Sequence, residues 1–301
     1  ERPKDLLPQF EKATPWKVAN FHQGLQLILI GLFKKCFVAD NCSLLADYAF
    51  DQGTVLNGEW ALLGAVAFAF QIYGDFSGYT DIARGSAQLL GIRLSHNFSF
   101  PYFAQGPSDF WKRWHITLST WFRDYVYIPL GGNRQGGART YFNLWLTMLL
   151  AGLWHGANWN FVIWGAYHGT LLILYRLVPG LSWFSEAKSG WRVWTGVALM
   201  FAFTLVGWAI FRCAGLPQLA QWFQAFAHWE KARALPWMKP VLWLLFHTLP
   251  LVALQLATWK SRDEVENGAW PWPVRGLVYA LIFLCVFTSA AGDVTFLYFQ
   301  F

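Results

Sequence analysis

The stretch Gly152 to Gly169, GLWHGANWNFVIWGAYHG, carries two imidazoles in a run otherwise apolar enough for a bilayer. A histidine whose pKa lies near 6.5 is well suited to take and return a proton at neutral pH. His155 and His168 are thirteen residues apart, which on one continuous helix places them on opposite faces and about 20 Å apart along the axis, so they cannot share a metal. If one of them acts, the other does not, and His155, between the helix-breaking Gly152 and Gly156, is the candidate. The plainer alternative makes both hydrogen-bonded packing residues. Against it stands the cost of a polar group at membrane depth, where such groups tend to face cavities or substrate paths.

A third histidine, His115, stands in DFWKRWHITLSTWFRDY, Asp109 to Tyr125. Helical spacing puts Trp114, Leu118, Trp121 and Tyr125 on one stripe and Lys112, Ser119 and Arg123 on another, which predicts an amphipathic helix at the interface or under a cavity. His115 borders the two faces. By pattern alone this is an ordinary interfacial helix; a functional reading has Lys112, Arg113 and Arg123 attract a phosphate-bearing donor while His115 points inward.

In QIYGDFSGYTDIARG, Gln71 to Gly85, the polar Asp75, Ser77, Tyr79, Asp81 and Arg84 interrupt an apolar segment in which Gly74 and Gly78 would let the backbone break. Broken backbone at membrane depth survives only inside protein or beside a wet cavity. Asp75 and Asp81 then line that cavity, together with Asn158, or they pair with Arg84 and cap helix ends.

The elements that hold these residues are set by composition. The 301 residues are 55% hydrophobic and 13% charged, with 20 Trp, against about 25% charged in a soluble domain. Uncharged runs at Val193 to Phe211, Val241 to Trp259 and Gly276 to Gly292 are each near the length that spans a hydrocarbon core. Asn158 to Tyr175 is a fourth candidate; Val18 to Phe33, Trp60 to Tyr73 and Tyr141 to Trp154 are shorter and read as tilted, broken or re-entrant. The fold class is therefore all-α, a polytopic membrane bundle with broken helices around a polar tunnel. Residues 1–17 read as an extended or interfacial lead-in, 181–190 and 216–239 as loops outside the membrane, and the rest as one membrane domain.

The formal charge of +6 does not point to nucleic acid, because Lys and Arg, Lys34 and Lys35 among them, sit at span edges as interfacial anchors do. Cys36, Cys42, Cys213 and Cys285 have no ligand-like spacing and read as buried thiols. No metal site is expected.

FSGYTDIA, FWKRWHITLSTWFRDYVYIPLGGNR and GLWHGANWNFVIWGAYHG follow one another in an order and spacing that resemble the membrane-bound O-acyltransferase family, in its bacterial branch that modifies alginate, peptidoglycan and teichoic acid. The resemblance runs from PKDLLPQF to the terminal FLYFQF. It implies that membrane helices belonging before residue 1 are missing from this chain, which would make it the later two-thirds of a longer one. It assigns His155, in the WHG motif, as general base and His115 as the second site residue. It also implies a thioester such as acetyl-CoA as co-substrate with no bound cofactor, and O-acetylation of a secreted polysaccharide. The expected setting is the bacterial inner membrane, with an SGNH-type acetyltransferase and polysaccharide machinery as partners. D-alanyl transfer from a carrier protein is the alternative within the family. The aromatic tail, 293–301, is an interfacial anchor or supplies Tyr298 as an acyl relay, since a phenol of pKa about 10 lies between a thiol and an alkyl alcohol as leaving group. A transporter using Asp75, Asp81 and the histidines as an ion path is a reading of another class. The absence of a visible internal repeat counts against it.

Overall fold

The computed structural model describes residues 1–11, 17–50, 57–227, 238–259 and 270–289. In chain order its helices are α1 (Pro3–Glu11), α2 (Val18–Leu32), a π-helical segment Phe33–Ala39, α3 (Asp40–Phe50), α4 (Gly58–Leu89), α5 (Pro107–Trp111), α6 (Ile116–Phe122), a second π-helical segment Arg123–Tyr127, α7 (Gly137–Trp154), α8 (Trp159–Leu177), α9 (Pro179–Ser185), α10 (Trp191–Arg212), α11 (Leu216–Ala225), α12 (Met238–Ala257) and α13 (Trp272–Thr288). There is no strand among the described residues. By length and apolarity α4, α10 and α12 can each cross a membrane, and α8 with α9, bent by 95°, is apolar enough for a broken span or a re-entrant loop. The chain is an all-α membrane protein. Two of the uncharged runs become the spans α10 and α12. The third becomes α13, which is apolar but only 17 residues long and begins at Trp272.

The helices divide between two compact units. The first holds Glu1–Asp47, Ala67–Asn97 and the described residues between 234 and 300; the second holds Tyr48–Val66 and Phe98–Arg233.

In the first unit α2, the π segment and α3 form one continuous helix packed along α4. The expectation that Gly74 and Gly78 break the backbone is overturned: α4 runs unbroken for 32 residues. Its glycines serve close approach instead. A Cβ on Gly78 would lie 2.7 Å from the Gly31 carbonyl oxygen, one on Gly85 would lie 2.6 Å from that of Gly24, and one on Gly74 would lie 2.7 Å from that of Lys34. Small residues facing each other let two backbones pack at van der Waals range where lipid gives no hydrophobic drive. Gly78→Ala is therefore expected to lower stability by about 1–3 kcal/mol, because backbone cannot swing aside as a side chain can. Gly180→Ala, whose Cβ would meet nothing within 4 Å, is the control; thermal unfolding of both in detergent decides it.

The π segment is where the lysines sit. Its lengthened turn is shown by the Asp40 N–H donating to the Lys35 carbonyl, and the Asn41 side-chain amide donates to the carbonyls of Cys36 and Phe37 at 3.1 and 3.0 Å. Lys34 and Lys35 are not edge anchors. They are 2% and 6% exposed and turned onto α4, where Lys34 Nζ lies 2.7 Å from Asp81 and Lys35 Nζ 2.7 Å from Asp75 and 2.8 Å from Asp40. Arg84 completes the group at 3.1 Å from Asp81. Lys34 Nζ also lies 5.8 Å from the centre of the buried Tyr73 ring, and α12 and α13 pack on the π segment. Residues 3–11 are helical instead of extended, with Gln9 bonded to the Arg93 backbone.

In the second unit α7 and α8 form a tight antiparallel pair. Gly152 abuts the Phe161 backbone, and a Cβ on Gly169 would lie 3.0 Å from the Trp145 Cα. The pair is packed by α10 and α5, with Phe110, Trp114, Trp164, Trp208 and Phe211 buried among them. Two stretches read as loops are partly helical, as α9 and α11. Trp222 of α11 is buried, its indole N–H donating to the Ala61 carbonyl, and does not lie at the surface.

Candidate active site

The site is built in the second unit at the turn between α7 and α8. Helix α7 ends at Trp154, His155 closes it, and Gly156 takes φ +148, a conformation side chains resist. Asn158 then starts α8 by accepting the backbone N–H of Asn160 at 3.1 Å. Asn158, expected to line a cavity, is an exposed helix cap. The buried polar residue of this turn is Asn160, whose amide donates to the carbonyls of Ile210 and Cys213 at 3.2 and 2.6 Å and so fixes the end of α10 beside the turn. Sequence reading passed over it because an asparagine cap and an asparagine clamp look alike in NWN.

His155 stands half-buried against a wall of aromatic rings. Trp154, Phe161, Trp164 and Phe211 lie with centroids 5.0, 6.1, 5.2 and 5.1 Å from its own, mostly edge-on. Such a wall fixes the ring plane.

The single long helix expected over Asp109 to Tyr125 is instead two short ones, α5 and α6, with His115 at the break. His115 has φ +42 and ψ +56, a left-handed backbone uncommon for a residue other than glycine. Local strain of this kind collects at functional positions, where the surrounding structure imposes it. The break turns the His115 ring toward Trp154, 6.5 Å away, so that one indole lies beside both His115 and His155. Thr117 Oγ1 lies 3.5 Å from the His115 Nδ1. The break also scatters the apolar stripe: Trp114 is buried between Phe98 and Trp208, whereas Trp121 and Tyr125 are exposed.

Both histidines lie outside the spanning helices, and burial pushes both pKa values down. His155 falls to about 4 and His115 to about 3, the latter also because a charge on His155 opposes one on His115. At neutral pH both rings are uncharged, the form that can accept a proton.

Of the three cations expected to attract a donor phosphate, two are at the surface. Lys112 is exposed, and Arg123 is exposed beside Asp124 at 2.7 Å. Arg113 is 5% exposed and pairs with Asp109 at 2.8 Å while reaching the Ser99 carbonyl, which corrects its assignment: it pins the loop preceding α5. Asp75 and Asp81 are ion-paired in the first unit, with Ser77 buried and Tyr79 half-buried on the same helix. Of the two roles left open for these carboxylates, the structure shows the pairing, with the two lysines added to Arg84. Tyr298 lies outside the described residues. No group of three potential metal ligands occurs among the described residues, and the four cysteines are free thiols.

His168, expected far from His155 on a shared helix, is not. The α7–α8 turn ends one helix before the other begins, and the two imidazoles pack on the same indole, Trp164, at 5.2 and 4.8 Å.

Residues 3–216 match the model of MBOAT, the membrane-bound O-acyltransferase family. The chain is 41% identical over 268 residues to a protein of Pseudomonas putida named "Probable alginate O-acetylase AlgI", covering 88% of this chain and 53% of that one. It is 45% identical over 215 residues to the protein of the same name from Azotobacter vinelandii, covering 71% and 41%. It is also 45% identical over 174 residues to the "Peptidoglycan O-acetyltransferase" of Helicobacter pylori, covering 57% and 33%. The chain thus spans about half the length of the curated relatives it matches.

Proposed function

Because this chain belongs to the membrane-bound O-acyltransferase family, we propose that it carries the acyl-transfer centre of an enzyme that O-acetylates a cell-envelope or secreted polysaccharide. The observation that carries this reading is the pairing of His155 and His115 across Trp154, each held where a helix is interrupted. The names of its relatives supply the substrate class: two are named for alginate and one for peptidoglycan O-acetylation.

The reaction needs one base and one leaving thiol. Neutral His155 takes the proton of the acceptor hydroxyl as that oxygen adds to the thioester carbonyl carbon. Collapse of the tetrahedral intermediate breaks the carbon–sulfur bond, and the imidazolium returns the proton to the departing thiolate. An ester and a free thiol result, and His155 is neutral again. His115 orients the donor or polarises its carbonyl. Lys112 and Arg123 draw in the phosphates of acetyl-CoA, which is a co-substrate and not a resident cofactor. The acceptor hydroxyl of this step is that of Tyr298; at the outer side of the bacterial inner membrane the hydroxyl nucleophile of an SGNH-type acetyltransferase then takes the acetyl group, its proton passing to the departing phenolate, and that enzyme completes delivery to the polymer.

Membranes of the native host, given acetyl-CoA labelled in its acetyl carbon, test this reading. Alkali-labile label is expected in the polysaccharide fraction and, during turnover, on the peptide holding Tyr298. Label in the polymer that survives Tyr298→Phe removes the relay and keeps the enzyme. If neither fraction acquires label, the acetyl-transfer reading is wrong.

A further inference from the structure

Beyond His155, α5 and α8 bring together three rings whose polar atoms have no visible purpose. Trp111 lies 5.6 Å from Trp164 and 5.1 Å from His168, and Trp164 lies 4.8 Å from His168. Trp164 and His168 are each 2% exposed. The indole nitrogens of Trp111 and Trp164 and the Nδ1 of His168 are buried and have no hydrogen-bond partner among the described residues. A buried donor without an acceptor is costly, and native proteins keep few of them. Three on mutually touching rings indicate a shared occupant.

The chemistry of the three groups limits what that occupant is. An indole nitrogen only donates, and a neutral imidazole nitrogen donates or accepts according to its tautomer. Two fixed donors require an acceptor oxygen. The surrounding wall is apolar, with Phe110 stacked on His168 at 6.1 Å, so the rest of the occupant is small and apolar. On α10, Gly207 lets the His168 ring pack close against the backbone, since a Cβ there would lie 2.8 Å from the His168 Nε2. Trp164 is also the ring that touches His155 at 5.2 Å, so the cage shares a wall with the assigned base.

We propose that Trp111, Trp164 and His168 form the acyl subsite, in which the indole N–H groups receive the carbonyl oxygen of a short acyl group and the surrounding rings limit its length. This rests on the acyl-transfer reading above. It makes two statements that reading does not: which groups hold the carbonyl, and why the acyl chain is short.

Trp111→Phe and Trp164→Phe keep an aromatic ring and delete one N–H. Each is expected to lower kcat/KM for acetyl transfer about ten- to hundredfold while leaving the thermal midpoint of the solubilised protein unchanged or raised, since an unpaired buried donor is removed. His168→Ala enlarges the cage and is expected to raise transfer of propionyl and butyryl thioesters relative to acetyl at least tenfold. That ratio does not depend on how much of a variant folds. The subsite is overturned if wild-type membranes transfer acetyl normally and all three variants keep its rate and length preference, or if the Trp→Phe variants lose only stability, as they would if the three atoms held a structural water. If wild-type membranes transfer no acyl group at all, the acyl-transfer reading fails and the subsite fails with it.

Discussion

His155→Gln is expected to lower acetate transfer to about a thousandth of the wild-type rate, with the protein still folded. The figure follows from what a positioned base contributes, typically 10²- to 10⁴-fold, and glutamine keeps the volume of the ring while removing its basic nitrogen. Folding is spared because His155 terminates α7 from a half-buried position, so no core is emptied. His115→Gln is expected to cost less, about tenfold to a hundredfold, since a group that orients the donor leaves the proton transfer intact. The pH profile adds an independent readout. An ordinary histidine base would lose activity below about pH 6.5. With the His155 pKa depressed to about 4, the neutral, active form persists well below that, and the acid limb of kcat/KM is expected under pH 5. An acid limb near 6.5 shows that the base is a different, solvated group, and full activity in His155→Gln removes the assignment outright.

How far the site could be read from sequence depends on what kind of signal each residue left. The helix end at His155 was legible, because glycines on both sides of a histidine in an apolar run mark interrupted backbone. That His168 folds onto the same indole was not, since thirteen residues on an uninterrupted helix and thirteen residues across a turn are written identically. The break at His115 left no trace at all. Nothing about the types of Trp114, His115 and Ile116 announces a left-handed backbone, and the 3.6-residue stripe through them is a real periodicity that the tertiary structure overrides. Gly74 and Gly78 show the opposite case, a true signal with two meanings. Glycine in an apolar segment marks either a break or a close approach of two backbones, and only the partner helix, with the Lys34 carbonyl against Gly74 and that of Gly31 against Gly78, decides between them. The all-helical membrane character required none of this, because 55% hydrophobic residues with only 13% charged ones admit no soluble alternative.

The charges of the first unit were the least legible part, and they yield the second large effect. Lys34 and Lys35 are adjacent in sequence, while their partners Asp81 and Asp75 lie 47 and 40 residues away, so no local pattern joins them. Among the described residues the ion pairs join three cations, Lys34, Lys35 and Arg84, to three anions, Asp40, Asp75 and Asp81. Lys35 serves two carboxylates, and Asp81 serves two cations. Lys35→Met therefore leaves two buried carboxylates facing each other with their shared cation gone. Removing one partner of a buried pair costs about 3–5 kcal/mol, and this variant is expected at the upper end, with the solubilised protein aggregating at temperatures where the wild type is intact. Adding Asp75→Asn removes one of those two carboxylate charges and is expected to recover at least half of the loss. That recovery separates charge imbalance from lost packing: methionine fills nearly the volume of lysine, so a packing defect would be unaffected by the second substitution. Fluorescence-detected size-exclusion chromatography after heating, run on wild type, both single variants and the double, measures the coupling directly. A Lys35→Met protein within 1 kcal/mol of wild type would mean that water or a counter-ion already screens the cluster, and that the π-helical turn holding both lysines against α4 is maintained by its packing alone.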